Sequence, residues 1–182
     1  MYEIERTLES LCPYIQNRPQ ERKFIADPKT GLWVEASEPT IKRQAVNPED
    51  AGYHDENGYY IPSRQIWAAM RNSSGQIQLG KSKLNRLSKF FIATIRVEPA
   101  KIYINKKKPD AIYNDPCFKE SKKGGEMVYN PRPMFNSWKA KIKIIVLEDS
   151  IPEEKIDECL IYAGLYKGIG SRHPEYGRFK AI

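Results

Sequence analysis

The apolar positions of this chain recur at two spacings, and the places where one gives way to the other predict its elements. From Trp138 to Val146 they alternate, with Trp138, Ala140, Ile142, Ile144 and Val146 on one face and Lys139, Lys141 and Lys143 on the other. That is the period of a strand with one face on a core. Lys89–Val97 alternates in the same way through Phe91, Ala93, Ile95 and Val97, and Lys101–Ile104 continues the extended pattern past Pro99. A first strand is expected over Thr7–Ile15, carried by Leu8, Leu11 and Ile15, and a last one over Tyr176–Ile182. Two stretches have helical period instead. One opens at Pro62 or Ser63, sets Ile66, Trp67 and Met70 on one face, and stops near Asn72-Ser73-Ser74-Gly75. The other runs from Pro152 to Tyr162, with Ile156, Cys159, Leu160 and Ala163 as its buried face. Pro152, Glu153 and Glu154 suit its first turn, where a fixed φ and negative charge are both favoured.

In chain order these elements give an α+β fold on the ferredoxin-like (RRM-like) βαββαβ plan. Two helices are expected on one face of a four-stranded antiparallel sheet. Two segments stand outside this frame. Residues 16–60 are polar and turn-rich and read as an insertion, with only Gly31-Leu32-Trp33-Val34 extended. At its end, Asn57-Gly58 signals a hairpin running into a short strand before Pro62. Residues 105–126 form a basic excursion, followed by an extended stretch from Met127 to Met134 broken by Pro131 and Pro133. A length of 182 residues fits one domain.

Charge changes the picture more than composition does. The net charge of +7 divides into −4 over residues 1–60, +13 over 61–145 and −2 over 146–182. Clustered lysine and arginine point to a polyanion partner, because neutralising phosphates releases counterions. A solvated surface that keeps the protein soluble is the alternative. The longest apolar run, Ile144-Ile145-Val146-Leu147, is too short to span a bilayer, and no secretory leader is recognisable, so a cytoplasmic protein without membrane contact is expected. Cys12, Cys117 and Cys159 are odd in number and widely spaced, which suits reduced thiols. No metal-ligand spacing, phosphate loop, nucleophile elbow or carboxylate pair can be read from the chain, and no cofactor is expected.

The candidate chemistry lies in four places. Between Gly164 and Arg178 the chain places four glycines and two arginines, directly after the second helix. Amides of Gly168, Gly170 and Ser171, with the side chains of Arg172 and Arg178, are candidates to hold phosphate; close packing of a tight connection is the alternative. The excursion carries Lys106, Lys107, Lys108, Lys119, Lys122 and Lys123, interleaved with Tyr113 and Phe118. Lysines attract the strand and aromatic rings stack on its bases. Arg132, between two prolines, is held extended and can present its guanidinium, while Phe135 and Trp138 suit a core. Lys81, Lys83, Arg86 and Lys89 form a basic linker that lines the same groove or is simply solvated. His54 and His173 are the only histidines and hence the only candidates for imidazole acid–base work.

Gly168-Ile169-Gly170-Ser171-Arg172 followed by Gly177-Arg178-Phe179 resembles the glycine-rich loop of the RAMP superfamily, whose members supply backbone and processing subunits of CRISPR effector complexes. Tyr60-Ile61-Pro62-Ser63, opening a helix that ends in Met70-Arg71, resembles a segment of their backbone subunits. With Arg132-Pro133-Met134-Phe135-Asn136-Ser137-Trp138, the set also resembles uncharacterised phage and prophage proteins, departing in the last motif by His173 between Arg172 and Pro174. The resemblance covers roughly residues 55–182. It implies a RAMP-type fold and a surface facing single-stranded RNA or DNA, with homo-oligomerisation along the strand as a corollary. The expected function is non-catalytic binding in a phage or mobile element. A RAMP-type endoribonuclease using His173 or His54, and an interaction protein that imitates a CRISPR subunit, remain the alternatives.

Overall fold

The computed structural model describes residues 1–17, 24–26, 33–35, 51–121 and 124–182, with the backbone alone at 24–26, 33–35, 115–121 and 124–130. Strand β1 spans Tyr2–Ser10 and β2 is the short Tyr14–Ile15. Strands β3 (Phe24–Ala26) and β4 (Trp33–Glu35) pair with each other. Strands β5 (His54–Asp55) and β6 (Gly58–Pro62) form the hairpin that leads into helix α1, Ser63–Ser73. A 3-10 turn follows, and then α2 (Ser88–Thr94), β7 (Ile95–Glu98) and β8 (Lys101–Tyr103). Strands β9 (Ala111–Ser121) and β10 (Gly124–Phe135) make a long antiparallel hairpin. Strand β11 (Lys139–Val146), helix α3 (Glu153–Tyr162), a π-helical turn (Ala163–Lys167) and β12 (Phe179–Ala181) complete the chain.

The fold is α+β, with three α-helices and antiparallel sheets among the described residues. The largest sheet has the order β12-β1-β11-β7. Its two central strands pair over eight residues, Tyr2 opposite Val146 through Glu9 opposite Lys139. On β11 every second residue is buried, and Ala140, Ile142, Ile144 and Val146 face a core shared with Ile66 and Met70 of α1 and Ile156 and Leu160 of α3. Cys159 packs its sulfur 3.3 Å from the Met70 carbonyl oxygen, joining the two helices. Burial of aliphatic side chains of this size contributes about 1.5–3 kcal/mol each and is the main force holding the layers together. Arg6, inward between Ile4 and Leu8, clamps α3 through Asp157 at 2.8 and 2.6 Å and Glu153 at 2.7 Å. Its hydrogen bonds to these carboxylates raise the pKa of the guanidinium further above the ordinary value.

The opposite face of this sheet is a charge ladder. Glu9 pairs with Lys139 and, at 2.9 Å, with Lys180, and Glu3 meets Lys143 at 2.8 Å. Acids from the acidic start of the chain thus lie on lysines from its basic middle. The separation of charge along the sequence is partly undone in space. Lys101 with Asp55, at 2.6 Å, repeats the pattern, whereas Lys106 meets Asp110, at 2.6 Å, within the basic middle itself.

Several sequence expectations need correction. The first strand begins at Tyr2 and ends at Ser10, because the outward glutamates that weaken its apolar pattern are the ladder's partners. Lys89–Val97 is not one strand. Its first half is α2, since Leu87 and Phe91, four residues apart, are both fully buried, and only Ile95–Glu98 is extended. Within the stretch read as an insertion, Gln16 is fully buried and the β5–β6 hairpin belongs to the described core, closing with Asp55 opposite Gly58. The excursion, read as a long basic hairpin, enters strand β9 at Ala111, and β10 runs through both prolines. The last strand is confined to Phe179–Ala181. No helix among the described residues is long and apolar enough to cross a membrane.

Candidate nucleic-acid interface

The glycine loop leaves the π-helical turn and folds back against β2. A Cβ at Gly170 would lie 2.5 Å from the Ile15 carbonyl oxygen and inside the Tyr14 ring contact, at a φ of +80° that disfavours any side chain. The loop's amides are largely engaged. Gly168 N–H donates to Ala163 O at 2.9 Å, Ile169 to Gly177 O at 3.0 Å, Ser171 to Ile15 O at 2.8 Å, Tyr176 to Arg172 O at 3.1 Å and Gly177 to Pro13 O at 2.8 Å. These bonds fix the loop on the short strand, so an anion beside it is met mainly by side chains rather than by a cradle of amides. The amide contribution expected of Gly168 and Ser171 is therefore already spent within the fold.

The side chains do converge. Arg132 on β10 donates from Nη1 to Ser171 Oγ in the loop. Arg132 stands directly opposite Tyr113 on β9, and the Tyr113 ring lies 5.5 Å from that of Tyr176, again in the loop. Burial, with the neighbouring Tyr113 and Glu175, raises the Tyr176 hydroxyl above its ordinary pKa and keeps it protonated. Two sequence-predicted elements, the Arg132 segment and the glycine loop, thus meet at the base of the long hairpin. Arg172 adopts a left-handed φ of +62°, and its side chain is exposed, as is that of Arg178.

Beside this junction lies a cleft of about 280 Å³ between the loop and α1. Gln65, Ala68, Ala69 and Asn72 form its helical wall, and Lys167, Ile169, Ser171 and His173 are among the loop residues opposite. Positions 65, 68, 69 and 72 share one helix face. Asn17 also lines the cleft. Tyr14 donates its hydroxyl to Gln65 Oε1 at 2.9 Å, and burial keeps that phenol protonated. Sequence reasoning missed Gln65, Asn72 and Lys167. The available signal was a polar stripe on α1, spaced like the apolar one and interrupted only by alanines.

Other predicted residues are placed elsewhere. Lys106 is held by Asp110 four residues on, and Lys107 reaches the Glu56 carbonyl at 3.2 Å in the β5–β6 corner; Lys108 is exposed. Lys119 lies on β9 opposite Glu126, its side chain outside the described residues, as are Lys122 and Lys123 altogether. Arg86 donates to the Gly75 carbonyl at 2.7 Å and closes the linker on the end of α1, while Lys81 and Lys83 are exposed. His54 packs against Tyr59, ring centroids 5.2 Å apart, away from the cleft that His173 lines. Phe135 and Trp138 are buried, as a core role requires. Among the described residues no three His, Cys, Asp or Glu side chains are grouped to hold a metal ion.

No protein-family model matches this chain, and no curated protein sequence does. Among solved structures, 98% of the chain is similar to a chain in the cryo-EM structure of the type III-B Cmr-beta complex bound to cognate target RNA, at 14% identity and a TM-score of 0.48. The same share is similar to Cas6 in a product complex, at 11% identity and a TM-score of 0.32. The match spans 59% and 50% of those two chains.

Proposed function

We propose that this chain is a single RAMP-like domain that binds single-stranded RNA or DNA without cleaving it. The path β1, α1, β7, β11, α3, β12, with sheet order β12-β1-β11-β7, supports reading its frame as ferredoxin-like. The observation that carries the functional reading is the junction of Arg132 with Ser171, beside the Tyr113–Tyr176 ring contact and the cleft that Lys167 lines. Cationic side chains next to a pair of tilted aromatic rings suit a strand whose phosphates and bases are both accessible. The neutralised sheet face argues against binding there: Glu3 and Glu9 would repel phosphate where Lys139, Lys143 and Lys180 would attract it. The strand therefore runs along the loop and the hairpin base.

Fluorescence anisotropy with a labelled single-stranded RNA, its DNA counterpart and a duplex tests this across a salt series. The logarithm of affinity should fall with log salt by about 0.7 per phosphate neutralised. Arg178→Ala, which removes an exposed loop cation, should weaken all single strands alike and reduce that slope by about 1. Salt-independent binding, or no binding, refutes the reading.

His173 in the same cleft favours a second reading, RNA cleavage with the imidazole as acid or base. Incubation of unmodified protein with RNA separates the two. Intact RNA leaves a binding protein; cleavage that disappears in His173→Ala and persists in His54→Ala makes it a nuclease.

A further inference from the structure

We propose that the cleft between α1 and the glycine loop is a single-base pocket that selects bases with a carbonyl oxygen at the pyrimidine 4 or purine 6 position, uracil and guanine, over cytosine and adenine, which carry an amino group there. The inference rests on the nucleic-acid reading above and assigns a base-reading task to its cleft, adding Gln65 to Lys167 and Ser171.

Size comes first. A cleft of about 280 Å³ sits at the lower edge of small-molecule pockets, roughly 300–1,000 Å³. One base is small enough to enter it. Ala68 on the helix and Ile169 in the loop give it apolar lining on both walls, suited to the faces of a flat ring.

Edge chemistry comes second. Three polar groups in the lining have their donor sense set by neighbours or by their nature. Gln65 already accepts the Tyr14 hydroxyl on Oε1, so its amino group is the part left to offer. Ser171 Oγ already accepts from Arg132, which leaves its own hydrogen available. Lys167 is a donor only. Asn17, Asn72 and His173 also line the cleft and can turn either a donor or an acceptor inward. A pocket biased toward donors pairs with carbonyl oxygens. An exocyclic amino group placed there would be desolvated against other donors and lose its own partner. Uracil and cytosine have nearly the same size and stacking surface, and differ at this edge.

The wild-type protein, bound to U-only, C-only and A-only single-stranded RNA of equal length at one salt concentration, tests this directly. Binding of the U strand about tenfold tighter than the C strand supports the pocket. Gln65→Glu keeps the acceptor for Tyr14 but replaces the amino group, and should bring the U strand down to the level of the C strand. Lys167→Met should lower the U:C ratio as well, with a thermal melt showing that each variant is folded. Equal binding of all three strands by wild type, or an unchanged U:C ratio in both folded variants, overturns the pocket while leaving the binding function standing. Binding of none of them overturns both.

Discussion

Arg132 and Ser171 stand 39 residues apart in the chain, yet one donates to the other across the gap between the hairpin base and the terminal loop. A guanidinium gripping a hydroxyl gives a charge-assisted contact, worth more than a neutral pair. The two segments that the sequence marks for phosphate therefore depend on each other for position.

A double-mutant cycle measures that dependence. Arg132→Ala and Ser171→Ala should each destabilise the fold, and the cycle should show a coupling of about 1 kcal/mol in denaturant unfolding. Binding of single-stranded RNA should fall further in Arg132→Ala than in Ser171→Ala, because only the first also removes a charge. Strictly additive stabilities would show that the contact contributes nothing.

Gly170→Ala should lower stability by roughly 2 kcal/mol or more, read as a drop in melting temperature. The new methyl group would meet Tyr14 and the Ile15 carbonyl at a backbone angle it disfavours. Gly75→Ala is the control: nothing lies within 4 Å of its Cβ position, so it should stay near wild type.

The charge ladder on the open sheet face sets the response to acid. Hydrogen bonds from Lys139 and then Lys180 lower the Glu9 carboxyl below its ordinary 4.5. A carboxyl depressed in the folded state stabilises the fold fully above its unfolded pKa and loses that contribution as pH falls through the folded value. Stability should therefore be flat on this account from neutral pH down to about 4.5 and decline below it. Glu9→Gln should flatten the acid limb in urea titrations; an unchanged limb would remove the ladder from the explanation.

How legible all this was depends on the residue. Helices α1 and α3 and strand β11 could be read because their apolar residues repeat without interruption. Strand β1 was read from the wrong residue because Glu3 and Glu5 dilute its pattern, and the lysines that justify them lie on β11. The segment at Lys89–Val97 satisfies both periods, since Phe91 and Ile95 are four residues apart and also two alternations apart. Only the fully buried Leu87 decides for helix. At the candidate interface, the glycines announced a constrained loop, but the acceptors for its amides, Pro13 O and Ile15 O, are more than 150 residues away in the chain. Gln65 carried no signal of its own until Tyr14 was placed beside it.

Gln16 carries one more consequence. Fully buried, it accepts the Tyr53 amide at 2.7 Å and donates to the Tyr60 carbonyl at 2.9 Å. The chain therefore departs after residue 17 and returns at residue 51 through a single riveted doorway, where Gly52 fits only because it has no side chain. One amide side chain thus latches both arms of the β5–β6 hairpin to the end of β2, and losing it would loosen both at once.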